Sequence, residues 1–547
     1  MKRYVPILAL LAALLAVSVF VPSALPESPI KSPSGPYELA ESNSYKASWA
    51  FSKANNALNI WMDYQNQGTK LFPQHPVHTP VDVAREWLKK DSYHWTTENS
   101  AADLYPFLVT GSYYLNSSYS GSLEFAMEME RAISGEGLPK NIDIRSGNII
   151  PTRVQSDSSL SSLDAEIFGA SEYVKDGLLP IIELKGNSIW SDRALEILDE
   201  ILESAPYDTE FGKIPSSGTE ANGEMLQSLT RAYLFTGDSK YFEAAQNIGD
   251  FYSDILDRRN GIPCDWDFLS GNCIREFNLR DHGNEVVPGM LELLYLEKSE
   301  DPEAYARHSQ SIRLMLDSLL EIGINEDHIW ISNTKLNDNW GYLLNAYYQF
   351  YLLTGEEKYL DVISNSLENL HKYSVWGRTD AYADTVESAL YLAGYIEMPD
   401  SVFRWMDEMM GNMNRIGLEH DYKDGNYIRT SLMYALYHTK GAYIEDWNPG
   451  TRIGGHIEGD TLYLHIALDE PRTVSVRFDT PRHSDIMGLE KNYPRLNAFP
   501  EWYAVSTSSY KITLDESSAS SFSTSPRNGF LIQVDDSVNI KIEPIYD

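Results

Sequence analysis

Two periodicities divide this chain. From about residue 45 to 446, apolar side chains recur every three to four positions, the spacing of one face of an α-helix. From about Trp447 they alternate with polar ones, as in "TLYLHIAL", "TVSVRFDT", "SYKITLD", "GFLIQVDD" and "VNIKIEPI", the spacing of half-buried strands. The helical part repeats itself. "ANGEMLQSLTRAYLFTGDSKYFEAAQNI", from 221, aligns with "NWGYLLNAYYQFYLLTGEEKYLDVISNS", from 339, so that Gly223 falls on Gly341, Glu220 on Asp338 and Tyr233 on Tyr351. Their shared T-G-[DE]-x-K-Y turn ends one helix on a left-handed glycine and starts the next with an acid, which favours a helix N-terminus. The tyrosine is expected to pack back between the two helices. Looser copies begin at 98, 278, 381 and 427, and amphipathic partners such as "SDRALEILDEILESA" follow most of them. Six or seven hairpins, roughly 45 to 65 residues apart, make an array whose units bury their faces only by stacking on one another.

Helical hairpins of this kind, followed by a small β domain, resemble the (α/α) toroid of the six-hairpin glycosidase superfamily. Its relatives include unsaturated-glucuronyl hydrolases, toroid-type polysaccharide lyases and uronyl epimerases. The resemblance covers about residues 45 to 547 and is architectural, since the T-G-[DE]-x-K-Y turn marks hairpins generally and no single activity. It implies an (α/α)6 or (α/α)7 toroid over 45–446, an antiparallel β-sandwich over 447–547, and a cavity at one end of the ring. An open solenoid is the other arrangement of such pairs; the uneven repeat length and the β domain favour the closed ring.

The polar blocks that open the hairpins then acquire a role. "NLRDHGNEVVPGMLELLYL", from 278, passes from Arg280, Asp281, His282, Asn284 and Glu285 straight into an apolar helix. The same transition supplies Glu220, Asn222 and Glu224; Asp338, Asn339, Trp340 and Tyr342; and Trp376, Arg378, Asp380, Tyr382, Asp384 and Glu387. "EHDYKDGNYIR" adds Glu419, His420, Asp421, Tyr422, Asp424 and Arg429, and the loop before the 278 block adds Asp265, Trp266 and Asp267. Carboxylates and amides read sugar hydroxyls and aromatic faces stack on sugar rings, so the mixture suits carbohydrate. Glycosidic cleavage needs one protonated carboxyl and a second as base or nucleophile. Asp281 and Glu285 share a helix face, as do Glu220 with Glu224 and Asp380 with Asp384. Acid and base must flank the bond, so the working pair is expected from different hairpins: one of Asp281/Glu285 with one of Glu220/Glu224 or Asp380/Asp384, and His282 as a further acid–base candidate. Asn222, Asn284, Arg280, Asp338, Asn339, Trp340, Tyr342, Trp376, Arg378, Asp380, Tyr382 and Trp266 are the candidate substrate contacts. Each acid has a competing assignment as a helix cap. A second cluster, Asp157, Asp164 and Glu166, reads as a solvated helix start.

Composition narrows the partners. A net charge of −35 opposes nonspecific binding to nucleic acid and to anionic membrane surfaces. Residues 1–24 join Lys2 and Arg3 to an apolar run and small residues, the design of a secretory signal, or of an uncleaved anchor that would be the only contact with a membrane. Residues 25–44 are rich in Pro and Ser and read as a linker. Export to the cell surface or beyond would let Cys264 and Cys273, the only cysteines, pair across "CDWDFLSGNC". No cofactor or metal is expected; Asp265 and Asp267 lack the twelve-residue pattern of a calcium loop. The reading is an exported glycoside hydrolase acting on a glycan or oligosaccharide. The alternatives are a lyase or uronyl epimerase on the same fold, with His282, Tyr342 or Tyr382 as base, and a noncatalytic glycan-binding surface protein.

Overall fold

The computed structural model describes residues 25–26, 28–30, 32–74, 93–152, 161–276, 284–322, 325–329, 335–336, 340–375, 379–420, 425–504, 509–514, 521–524 and 529–545. Among the described residues, seven helices form an inner ring. They are α2 (Tyr105–Leu115), α4 (Ser162–Glu172) with its continuation α5 (Leu179–Lys185), α7 (Thr219–Thr236), α9 (Val286–Glu300), α11 (Trp340–Thr354), α13 (Thr379–Ala393) and α15 (Asn426–Thr439). Each packs on the next, and α15 returns to α2. The expected closed ring is therefore present, with seven hairpins rather than six.

An outer helix backs each inner one: α3 (Ser120–Ser134), α6 (Ile189–Ser204), α8 (Ser239–Arg258), α10 (Pro302–Ile322), α12 (Glu357–Asn369) and α14 (Asp400–His420) follow their partners. The seventh outer helix comes from the other end of the chain. It is α1 (Pro36–Asp63), which lies along α15. It begins inside the stretch expected to be a linker, because Pro36 sits at the first helical position behind an extended Gly35, where a missing N–H costs nothing. Inner helices are buried on nearly every side, and outer helices bury one stripe.

The repeated turn does more than end a helix. Gly237 and Gly355 both have φ 71°, as expected. The lysine and tyrosine that follow reach the preceding outer helix and share one carboxylate there. Lys240 and Tyr241 bind Asp199 at 2.8 and 3.0 Å, and Lys358 and Tyr359 bind Asp317 at 2.8 and 2.9 Å. The hydroxyl thus ties one hairpin to its neighbour, while the Tyr359 ring packs on Tyr347 and Phe350 of its own hairpin, as expected. A different pin joins α8, α9 and α10. His308 Nδ1 lies 2.8 Å from Glu297 and Nε2 2.9 Å from Asp250. Burial pulls the imidazole down, but hydrogen bonds to Asp250 and Glu297 outweigh it and raise His308 to about 9. Its folded value exceeds the ordinary 6.5, so its stabilisation is complete below about pH 6.5 and is lost as pH rises through about 9, by up to about 3 kcal/mol. Urea unfolding at pH 7 and 9.5 should show that loss in the parent and a flatter difference in His308→Gln.

Inner helices approach closely where they lack side chains. A Cβ on Gly223 would lie 2.2 Å from the Glu285 carbonyl carbon, so only glycine lets α7 and α9 meet at this height. The C-terminal region carries eight strands: β1 (Tyr443–Ile444), β2 (Thr451–Glu458), β3 (Thr461–Leu468), β4 (Arg472–Arg477), β5 (Ser509–Leu514), β6 (Ser521–Thr524), β7 (Phe530–Val534) and β8 (Ser537–Ile545). Among the described residues they form two antiparallel sheets, of order β6-β5-β8-β3-β2 and β7-β4-β1. β2 lies against α1, which fixes the sheets to the ring. Between β4 and β5 runs a long connection. Its residues 493–499 are buried in the ring, at the end where α7 and α9 finish.

Candidate active site

The lumen of the ring is filled by charged side chains in two layers. Lower down, fully buried Arg231 on α7 donates to both oxygens of Glu292 on α9, at 2.7 and 2.9 Å, and lies 3.7 Å from Glu183 on α5. Glu183 in turn receives Arg495 at 2.8 Å. The carboxyl of Glu183 is buried, and Arg495 and Arg231 hold it below its usual range. The upper layer is centred on a π-helical turn, Tyr173–Leu178, between α4 and α5. The wider turn directs the consecutive residues Lys175 and Asp176 into the lumen together; such interruptions often mark functional sites. Lys175 Nζ donates to Asp176 at 2.7 Å and to Glu285 at 2.8 Å, and Gln227 Nε2 donates to the other Glu285 oxygen at 2.7 Å. Across the lumen, Arg429 on α15 pairs with Asp384 and with Glu387 at 2.8 Å.

Above this floor stand two further carboxyls, those of Glu172, the last residue of α4, and Glu224, in the second turn of α7. Oxygens of Glu172, Asp176 and Glu224 all lie within 4.8 Å of one another. Burial pushes Glu172 well above the usual carboxyl range, and the neighbouring Glu224, Glu220, Asp103 and Glu98 add to the effect. Glu224 is pushed up by burial and then by Glu220 and Asp176. Ser171 donates to Glu224 Oε2 at 2.6 Å, while Oε1 is buried with no hydrogen-bond partner among the described residues. Glu172 is 8% exposed and Glu224 is fully buried. The surroundings favour the protonated form of two adjacent carboxyls, beside a third that Lys175 contacts. The same three oxygens are close enough for one small cation, for which the Lys175 ammonium is the competing charge.

The sequence-derived candidates are distributed unevenly over this geometry. Glu224, Glu285, Tyr342 and Asp384 are brought together in the lumen, and Glu220 stands beside Glu224 and Glu172 at the rim. Glu285 has both oxygens committed, to Lys175 and Gln227, which suits a fixed floor better than a proton carrier. Asn284 is fully buried with both amide atoms unpartnered among the described residues. Three expected substrate contacts sit elsewhere. Asn222 caps its own loop, accepting from Ser216 N at 3.1 Å and donating to Ser216 O at 2.6 Å. Trp340 is fully buried edge-on to Trp405 of α14, in the wall between the rings. Trp266 stands edge-on to Phe251 in the hairpin closed by the Cys264–Cys273 disulfide. Tyr382 is half-buried at the start of α13. Asp265 accepts from the Thr219 backbone N at 2.8 Å and Asp164 caps α4, so both are structural. Arg280, Asp281, His282, Asp338, Asn339, Trp376 and Arg378, the side chain of Asp380 and the leader 1–24 lie outside the described residues.

Three residues of the cup, Glu172, Lys175 and Asp176, escape a reading by sequence. In "GASEYVKDGLLPIIELK" the signal is a run of charges at 172, 175, 176 and 183 inside an otherwise apolar helix too long to be a solvated start.

No protein-family model matches the chain, and no curated protein matches it. Solved structures of the six-hairpin glycosidase fold do resemble it at low identity. A D-mannose isomerase shares 13% identity at a TM-score of 0.40, over 59% of this chain and 84% of that one. A glycoside hydrolase family 76 mannosidase from Bacteroides thetaiotaomicron shares 11% at 0.40, over 70% and 98%. An unsaturated glucuronyl hydrolase specific for heparin shares 15% at 0.35, over 56% and 92%.

Proposed function

We propose that the protein is a glycoside hydrolase whose proton donor is the Glu172–Glu224 carboxyl pair and whose ionised partner is Asp176. The observation that carries this reading is the pair itself: two adjacent carboxyls, both pushed above their usual range by burial and then by neighbouring acids, with the oxygen of a third within 4.8 Å. A general acid for the leaving oxygen must hold its proton near neutral pH, and this environment provides that. Retaining enzymes hold their two carboxyls roughly 5–5.5 Å apart, a separation that nearest oxygens within 4.8 Å of one another admit. The lyase or epimerase alternative is less well served. Burial, followed by Asp384, Glu285 and Glu387, pushes the Tyr342 phenol up, which makes its phenolate costly to form. Lys175 and Arg429, the cations that would neutralise a uronate, are already paired with carboxylates.

Reducing-sugar release over a panel of neutral oligosaccharides, with early products followed by NMR, tests the proposal. Release with retained anomeric configuration is expected. Ultraviolet absorbance from an unsaturated product would select the lyase, and binding without any turnover would select a noncatalytic glycan receptor. We also place the protein outside the cytoplasm. The support is the apolar run after Lys2 and Arg3, together with a disulfide that oxidising compartments maintain. Among the described residues no helix is long and apolar enough to cross a membrane.

A further inference from the structure

The connection between the two β-sheets does not merely cover the ring; it supplies part of the upper layer of the lumen. Four consecutive residues bond to inner helices. Pro494 O accepts from Gln349 Nε2 on α11 at 2.6 Å, and Arg495 donates to Glu183 on α5. Leu496 O accepts from Arg231 on α7 at 3.1 Å. Asn497 reaches furthest, into the upper layer. Its Nδ2 donates to Asp176 Oδ1 and its Oδ1 accepts from Arg429 Nη1 at 3.0 Å. One amide thereby spans the lumen from the π-helical turn to α15. Its backbone has φ 63°, a conformation that asparagine tolerates better than most residues. Arg429 is held on its far side by Asp384, Glu387 and Asn426, so the amide is presented from a fixed support.

We propose that Asn497 is a positioning residue of the hydrolytic site, orienting the Asp176 carboxylate beneath Glu172 and Glu224, so that the C-terminal region completes the active site. This rests on the assignment of Asp176 made above. The amide has the donor that an ionised carboxylate requires and carries no charge of its own. That suits a place where Asp176 already faces Lys175 on its own turn, Glu224 on α7, Tyr342 on α11 and Glu387 on α13. A second cation would overcompensate there, and an acid would repel.

Asn497→Gly in the full chain is the informative variant, because glycine keeps the left-handed backbone while removing the amide. The expected result is a roughly 10–100-fold lower kcat, KM within about threefold, and an acidic limb of kcat/KM moved to higher pH, since a hydrogen bond to the charged form is lost. Asn497→Asp should move that limb further in the same direction. A lower melting temperature with the pH profile unmoved would mean that Asn497 only anchors the loop, and would overturn the proposal. Should the parent chain release no sugar at all, the hydrolase reading fails separately. The positioning claim is then decided by the pH dependence of carbodiimide coupling at Asp176, followed by peptide mass spectrometry. A profile displaced in Asn497→Gly upholds it, and an identical profile rejects it.

Discussion

Replacing Glu172 by glutamine is expected to lower kcat/KM on an oligosaccharide by about 10²–10⁴-fold while leaving the fold intact. The amide fills the same space and removes the one carboxyl of the pair whose residue keeps any exposure. The loss should depend on the leaving group. An aryl glycoside with an acidic phenol departs without protonation, so its hydrolysis should fall far less than that of a sugar leaving group. The parent profile should decline as pH rises through the raised value of the carboxyl pair, and Glu172→Gln should lack that decline. Stability should hold or rise slightly, because the substitution removes a carboxyl that burial and the neighbouring Glu224 and Glu220 make costly to ionise. Equal losses on both substrate types, or a melting temperature many degrees lower, would place Glu172 in the scaffold.

The second large effect lies in the lower layer. Arg231→Met should cost about 3–5 kcal/mol in urea unfolding, because it strands Glu292 without a counter-charge in a region that excludes water. Glu183 keeps Arg495 and is less affected. Replacing Arg231 and Glu292 together by methionine should restore much of the loss, since matched apolar groups need no desolvation of charge. The loss in Arg231→Met also frees Leu496 O, so the connection should become more susceptible to proteolysis. A single substitution costing under about 1 kcal/mol would mean that water reaches this layer.

Much of the architecture was legible in the sequence because helix and strand periods are local. The hairpin array, the change of pattern near Trp447 and the left-handed glycines at 237 and 355 all follow from spacing alone. The disulfide followed from two cysteines bracketing one short hairpin. The site was legible only in part. Glu224, Glu285 and Asp384 do face the lumen, since the start of an inner helix is where polarity must change. Trp340 shows the limit, because position along the helix gives depth but not which way a residue faces, and this one faces the outer ring. Lys175 and Asp176 stayed hidden because their shared direction depends on a π-helical turn that leaves no mark in the hydrophobic period. Asn497 is a contact across 321 residues from Asp176, and no local pattern encodes such a distance.

The pairing of α1 with α15 sets an order on how the molecule comes into being. Asn43 and His438, hydrogen-bonded at 3.1 Å, are separated by 395 positions, so the ring has a seam that shuts only after nearly the whole toroid has emerged. Until then α1 waits with an uncovered apolar face, and the last inner helix has nothing behind it. Contacts this remote are slow to form and leave time for mispairing. Joining the two halves of the seam by permuting the chain should therefore speed maturation while leaving the finished ring unchanged.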